Sequence, residues 1–236
     1  MKASRIAAAD TRRDRIVSRA AGLLDAGGRE AVSTRAVCTA AGVQAPTLYR
    51  LFGDKRGLLD AVAAHGFMTY MNSETARAPD ADPVENLRAG WDLHIGFGLA
   101  NPFLYSLIFG DPHPGAAPPA VVASAEMLAG LVRMIATAGR LRVGERRAAE
   151  LMHAASCGTT LTLIAMPADR RDLTVSHLAR EAFIAAITTD APASAAPGPV
   201  SAAVALRALV PQVTALTGQE RGLLLEWLDR IAETGG

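Results

Sequence analysis

Residues 42–59, with the sequence GVQAPTLYRLFGDKRGLL, concentrate hydrogen-bonding and cationic side chains in a chain otherwise rich in Ala, Leu and Val. Gln44 and Thr47 carry amide and hydroxyl groups, and Tyr49 adds a phenol. Lys55 is cationic. Groups of these types can bind base edges and phosphates, so the segment could contact a nucleic acid.

Short helices are predicted to position these side chains. Apolar residues at helical spacing indicate a first helix over Thr11–Ala26, with a capping box at Thr11 and Asp14 and a stop at Gly27-Gly28. Two short helices follow, over Thr34–Ala41 and Ala45–Phe52, joined by a glycine-containing turn. This arrangement predicts a helix-turn-helix whose second helix faces outward.

Two further caps complete that prediction. Ser33 can cap the short helix that starts at Thr34, and Gly42 can end it. Asp54 can cap a longer helix that runs through Leu58 and on to Phe67.

The net charge of +1 hides an uneven distribution. Residues 1–66 carry a net charge of +5, and the remainder therefore carries −4. A basic head suits an anionic polymer, although five excess charges are also compatible with an ordinary surface. Charge alone leaves both interpretations open.

Composition favours an all-α fold, because Ala is abundant and β-branched runs are scarce. The only two cysteines, Cys38 and Cys157, lack metal or disulfide spacing, so we expect a reducing, cytoplasmic location. No apolar stretch resembles a signal peptide, and none looks long enough to cross a bilayer. We therefore expect no membrane partner.

Downstream of residue 78 the predicted helices are separated by segments that contain Pro and Gly. We predict helices over about 83–100, 103–109, 118–138, 145–165 and 174–188. A Pro- and Ala-rich linker follows, and two more helices cover about 201–216 and 219–233. Thr217 and Glu220 form a capping box for the last one. The predicted domains are 1–66, 67–192, a linker at 193–200 and an extension at 201–236.

The order TRAVCTAAGVQAPTLYRLFGDKRGLLDAV resembles the TetR family of bacterial one-component transcription regulators. The resemblance covers roughly Thr11 to Phe67. The stretch WDLHIGFGLANPFLYSLIF is similar to a subgroup of the family with a Trp-x-x-His helix followed by Asn-Pro-x-Leu-Tyr.

The resemblance implies roles for matching residues at a DNA operator. The second helix would meet phosphate and a base edge, the recognition helix would enter the major groove, and Tyr49 and Lys55 would hold phosphates. The full predicted set is Thr34, Arg35, Gln44, Ala45, Pro46, Thr47, Tyr49, Arg50 and Lys55.

Some of these assignments have alternatives. Leu51 and Ala45 stand where many family members carry polar residues, so direct base readout is expected to be thin. Tyr49 could instead be a tyrosine at the edge of the core. Arg12, Arg13 and Arg15 fit a solvated helix face as well as a DNA-backbone contact.

A regulator of this type also needs an effector site in its second domain. Apolar walls with a few polar tips predict a pocket for a small apolar or aromatic molecule. Trp91, His94 and Tyr105 are favoured, because their polar atoms need partners when buried. The complete predicted set is Trp91, His94, Phe103, Tyr105, Phe109, Met127, Met134, Met152, Ser156 and Thr159.

Neither metal binding nor catalysis is predicted, and no cofactor is expected. The five histidines show no HxxxH or HExxH spacing, and His153 with Cys157 would need ligands from elsewhere. No nucleophile elbow or glycine-rich phosphate loop is present in the sequence.

The resemblance implies a homodimer formed through the last two body helices. The terminal pair of helices is predicted to pack on the body or across the dimer, with an independent docking hairpin as the alternative. We therefore expect a ligand-responsive repressor of a palindromic operator. The alternatives are an activator, or a helical protein-interaction module with a vestigial DNA-binding head.

Overall fold

The computed structural model describes residues 2–74, 80–110, 117–189 and 198–233. Within these ranges the chain forms eleven α-helices and two short 3₁₀ turns, and its only β-structure is an isolated bridge between Leu141 and Thr188. The predicted all-α fold class is therefore confirmed. The helices are α1 (Lys2–Ala31), α2 (Thr34–Ala41), α3 (Ala45–Phe52), α4 (Lys55–Glu74), α5 (Pro83–Ala100), α6 (Pro102–Phe109), α7 (Pro119–Thr137), α8 (Glu145–Ala165), α9 (Thr174–Ile187), α10 (Pro199–Leu209) and α11 (Gly218–Glu233).

The first helix differs from its prediction at both ends. It begins at Lys2, so Thr11 lies inside α1 and the predicted capping box with Asp14 is wrong. Alanines at 7–9 have high helix propensity and allow the helix to start earlier. Gly27 and Gly28 do leave the helical conformation, but the helix resumes after this kink and ends at Ala31.

Gly28 occupies a backbone conformation that side chains disfavour. Its φ is 66° and its ψ is −166°, in a region that is essentially restricted to glycine. A Cβ atom at this position would lie 3.2 Å from the ring of Phe103 on α6. The kink therefore allows α1 and α6 to approach closely.

The chain divides into two compact units, the first formed by Met1–Arg77 and Gly96–Ala123 and the second by Ala78–Ile95 and Ser124–Gly236. These bounds differ from the predicted domains, because α5 and α7 each contribute residues to both units. In the first unit α1 packs on α2, α4 and α6, and α3 packs on α2 and α4. Its buried side chains include Ile16, Leu24, Val37, Leu48, Leu58, Val62, Phe67, Phe97 and Tyr105.

In the second unit, ion pairs join α5 to α9. The Arg88 guanidinium lies 2.8 Å from the Glu181 carboxylate, and Arg180 lies 2.6 Å from Asp92. The hydrogen bond from Arg88 lowers the pKa of Glu181. Helix α9 also packs along α8.

The terminal pair, α10 and α11, is a helical hairpin with its own small core. Ala203, Val210 and Leu228 are buried together. The predicted capping box is confirmed, since the backbone N–H of Thr217 donates to Glu220 Oε2 at 2.8 Å. Residues 190–197, which include most of the predicted linker at 193–200, lie outside the described residues.

An ion pair links the hairpin to the body of the second unit. Arg207 of α10 pairs with Asp229 of α11 and approaches Glu145, the first residue of α8, to 3.6 Å. This contact agrees with the prediction that the terminal helices pack on the body.

Helix α7 differs from the prediction that no segment is long enough to cross a membrane. By length and composition Pro119–Thr137 is long and apolar enough to cross a bilayer, so the expectation that no segment reaches this length is wrong. Only 22% of the relevant window is buried within the single chain. Core helices of soluble proteins meet the same criterion, so one such helix does not by itself indicate a membrane protein.

Candidate functional site

Helix α3 presents a polar face opposite a small apolar anchor. Leu48 is fully buried, and it holds the helix against the rest of the first unit. On the other side Gln44, Pro46 and Arg50 are exposed, and Tyr49 is 49% exposed. The outward face predicted from the sequence is therefore present.

The turn before α3 is set by its glycine and by a serine cap on α2. Gly42 adopts the left-handed conformation, with φ 63° and ψ 42°, where glycine is favoured. The backbone N–H of Val43 donates to the carbonyl of Cys38 at 3.0 Å. Ser33 Oγ accepts a hydrogen bond from Ala36 at 3.2 Å, as predicted. Gly42 and the Val43 hydrogen bond therefore set the turn between the two helices, while the Ser33 cap fixes the start of α2.

The exposed side chain of Gln44 is available to a binding partner. It is the N-cap residue of α3, but its amide makes no capping hydrogen bond. Pro46 occupies the first turn, where the absence of its N–H costs nothing. The N–H groups of Thr47 and Leu48 donate to the Gln44 carbonyl at 2.9 and 3.4 Å, so the exposed Gln44 amide is the polar group that the start of α3 offers to solvent.

Exposed cations surround this face. Arg35 at the start of α2, Arg50 on α3, and Lys55 and Arg56 at the start of α4 are all exposed. Over the part of the chain that the structure describes, none of these four makes an ion pair. Their charge is therefore available to an external anion.

The turn between α3 and α4 places Lys55 at a helix start. Asp54 Oδ1 accepts a hydrogen bond from the Gly57 N–H at 2.8 Å, which confirms the predicted cap. The cap orders the backbone next to the Lys55 ammonium group, so that α4 begins immediately beside the end of α3.

One contact on this surface was missed from the sequence. The Arg13 guanidinium of α1 lies over the Phe52 ring at the end of α3, 5.3 Å from its centroid. This distance is within the range of a cation–π interaction. The positions of α1 and α3 in the first unit bring these two residues together. Nothing in the sequence around either residue indicates the contact.

An open groove lies between α2 and α3. It is lined by Thr34, Arg35, Cys38, Thr39, Gly42, Val43, Gln44 and Ala45. Predicted DNA-contacting residues of both helices therefore meet along one concave surface. Cys38 and Thr39 line it as well, although the sequence analysis did not include them.

The predicted effector residues of the second unit contribute to two separate arrangements. In the first, Trp91 is 3% exposed and its indole N–H donates to Ser176 Oγ of α9 at 2.9 Å. The indole therefore has its polar partner inside the protein, and the hydrogen bond secures α5 against α9.

The second arrangement is a polar cluster between α5 and α8. Cys157 Sγ lies 3.9 Å from His94 Nε2 and 3.7 Å from His153 Nδ1. Burial, with a smaller contribution from nearby His153, lowers the pKa of His94 to about 4. Burial also lowers the pKa of His153. Both imidazoles are therefore neutral at pH 7.

The remaining predicted effector residues are distributed over both units. Met152 and Ser156 are buried on α8 and Thr159 is half-buried, whereas Met127 and Met134 are exposed on α7. In the first unit Tyr105 is buried with its ring 4.8 Å from that of Phe109, and Phe103 is half exposed against Gly28. The two exposed methionines do not enclose a cavity within a single chain.

The described ranges contain no group of three or more His, Cys, Asp or Glu side chains arranged to hold a metal ion. The sequence had placed His153 and Cys157 one turn apart but gave no indication that His94 approaches them.

Comparison with known proteins assigns the head of the chain to a family. Residues 16–62 match the profile of the bacterial regulatory proteins, tetR family. A search of curated proteins finds no match.

Several solved structures share the fold. One is a TetR-family transcriptional regulator from Streptomyces coelicolor, with 24% identity and a TM-score of 0.54 over 73% of this chain and 95% of that one. A protein of unknown function from Rhodococcus sp. RHA1 has 24% identity and a TM-score of 0.59, over 75% and 96% of the two chains. A protein from Shewanella sp. PV-4 described as a tetR family transcription regulator has 18% identity and a TM-score of 0.59, over 75% and 98%.

These likenesses show the fold, and the profile match over residues 16–62 adds the family of the DNA-binding head. The match over residues 16–62, together with the helix-turn-helix and its cationic surroundings, therefore identifies the head of this chain as the DNA-binding domain of the tetR family of bacterial regulatory proteins.

Proposed function

We propose that the protein is a repressor that binds a palindromic operator as a homodimer and is released by a small uncharged molecule. The observation that carries this proposal is the outward face of α3, where the exposed Gln44 and the half-buried Thr47 are flanked by cations without ion pairs in the described ranges. Duplex DNA matches this combination, because its phosphates attract cations and its major groove offers hydrogen-bonding partners. A protein with this function acts on DNA in the cytoplasm.

In this proposal each side chain has a separate task. Thr34, Arg35, Tyr49, Arg50 and Lys55 hold phosphates and fix the register of the protein on DNA. Gln44, Ala45, Pro46 and Thr47 face the base edges. Ala45 and Pro46 offer apolar contact with a thymine methyl, and the Gln44 amide can bond a base edge.

A dimer gives the two recognition helices the spacing that a palindrome requires. Half-sites one turn apart are separated by about 34–36 Å. Apolar side chains that the single chain leaves uncovered support pairing through α8 and α9. Leu151, Val175 and Leu178 are 38%, 42% and 68% exposed. A second copy of the same helices would cover them, in a symmetric interface.

The proposed effector is apolar or aromatic and carries no charge. The polar cluster of His94, His153 and Cys157 can donate to or accept from a hydroxyl, phenol or carbonyl group. Arg88 of α5 and Arg180 of α9 already pair with carboxylates. A carboxylate buried against these neutral imidazoles would gain no charge pairing from them, at a high cost in desolvation. A coupling free energy of about 1–3 kcal/mol between ligand and DNA is enough for regulation.

The phosphate assignment predicts a change in salt dependence. Lys55→Gln should weaken binding to operator and unrelated DNA alike, and it should reduce the slope of log K against log salt by about one. The slope is measured by fluorescence anisotropy of labelled duplexes that include DNA flanking the gene. Arg142→Gln, which removes an exposed cation in the second unit, is the control and should leave the slope unchanged. An unaltered slope in Lys55→Gln would remove this phosphate contact.

The proposed effector class predicts a preference among matched aromatic probes. Benzyl alcohol, phenol and indole should raise the melting temperature of the dimer and release DNA more than benzoate or indole carboxylate at the same concentration. Thermal shift followed by gel-shift titration gives both readouts. In His94→Leu the preference for hydroxyl-bearing probes should fall. Stronger stabilisation by the carboxylates would contradict the neutral site, without affecting the proposal for DNA binding.

A further inference from the structure

The last helix has an apolar stripe on the side away from its own core. Leu223 and Trp227 are 46% and 49% exposed, and Ile231 is 41% exposed. These residues are spaced four apart, so they lie along one face of α11. Leu228 and Ala232 are buried on another face. The hairpin core therefore leaves this stripe at the surface.

This stripe lies outside what the proposed operator and effector sites use. About three quarters of this chain aligns with 95–98% of the length of each of the three solved structures. About a quarter of this chain therefore has no counterpart in those alignments.

We propose that the α11 stripe pairs with the same stripe of a second copy of this chain, with the two helices antiparallel. The stripe is symmetric about Trp227, with one aliphatic residue four positions away on each side. A two-fold axis beside Trp227 therefore places Leu223 of each copy opposite Ile231 of the other. Self-complementarity of this kind is what a two-fold interface requires. A central Trp is also a side chain that commonly anchors an interface.

The charges beside the stripe fit the same arrangement. Glu226 and Arg230 lie on one flank, are both exposed, and pair with each other at 3.5 Å. With the axis at Trp227, Glu226 of each copy and Arg230 of the other are offset by about 3 Å along the helices. These long side chains can span that offset, so opposite charges meet twice. Asp229 does not disturb this pattern, since it pairs with Arg207 inside the hairpin.

Other charges on α11 are held away from the proposed axis. Glu220 closes the capping box with Thr217 at the start of the helix. The central part of the stripe is therefore flanked mainly by the complementary pair. Antiparallel helices in contact lie about 8–10 Å apart, which brings residues on the axis within disulfide distance of their own copies.

Cysteine cross-linking of the full-length chain tests this register. Trp227→Cys should form a disulfide-linked two-chain species under mild oxidation, because position 227 lies at the axis. Oxidation traps the pair even though the variant loses the indole. Leu223→Cys and Ile231→Cys should each cross-link poorly alone and efficiently when mixed, because they oppose one another. The parent chain gives the background from Cys38 and Cys157.

A second measurement adds Trp227→Glu to a Leu178→Glu background, in which the proposed α8–α9 pairing is disrupted. The double variant should show at least tenfold weaker remaining self-association by sedimentation velocity, with unchanged helical circular dichroism. The proposal is overturned if Trp227→Cys cross-links no better than the parent chain. It is also overturned if Leu223→Cys alone cross-links as well as the mixture, or if the double variant associates like Leu178→Glu alone. Any of these results would assign the stripe to another occupant without affecting the DNA-binding proposal.

Discussion

Gly28→Ala should lower the free energy of unfolding by about 1–3 kcal/mol. The native backbone at this position, with φ 66° and ψ −166°, is one that an alanine disfavours strongly. The added methyl would also lie 3.2 Å from two ring atoms of Phe103, so α1 and α6 would have to move apart. Both effects act at the contact between α1 and α6 in the first unit.

Urea unfolding followed by circular dichroism measures this loss. Gly22→Ala is the matched control, because Gly22 is exposed on the same helix and a Cβ there meets nothing within 4 Å. This control should gain up to about 1 kcal/mol from helix propensity. Equal stability of Gly28→Ala and the parent chain would show that the kink does not need glycine.

Lowering the pH from 7 to 5 should reduce stability by about 2 kcal/mol through His94 alone. Burial lowers the pKa of this imidazole from 6.5 to about 4 in the folded protein. Between pH 4 and 6.5 the His94 imidazole is protonated in the unfolded chain but neutral in the folded chain. The contribution of His94 to the free energy of unfolding is therefore fully present above about pH 6.5. It falls as the pH falls towards 4, and it changes little at lower pH.

Urea titrations at pH 7, 6 and 5 test this dependence and stay above the range where most carboxylates protonate. His94→Gln should reduce the pH dependence to the part that His153 and other groups contribute. His177→Gln, which alters an exposed histidine, should keep the slope of the parent. If the parent and His94→Gln lose the same stability on acidification, His94 is not the group responsible.

The helical architecture could be predicted largely from local sequence. Pro83 and Glu145 begin their helices as expected, and Ser33 and Asp54 cap theirs. These features depend on contacts within a few residues along the chain, which a single sequence displays directly. The exception is the start of α1, where Thr11 offered a good cap but alanine propensity carried the helix further.

Side chains in the candidate sites were harder to place. The exposed face of α3 could be predicted, because one buried Leu48 determines which side of a short helix points outward. The indole of Trp91 was expected to need a partner, but its bond to Ser176 depends on how α5 meets α9. Met127 and Met134 were expected in a pocket and are instead exposed on α7.

The sequence by itself determined the fold class, the helix-turn-helix and its cationic outward face, because helix periodicity and capping act over a few residues. Only the tertiary structure decided that His94 meets Cys157 and that Arg13 stacks on Phe52. These pairs lie far apart in the chain, and their distances depend on the packing of whole helices, which is set by many buried contacts at once.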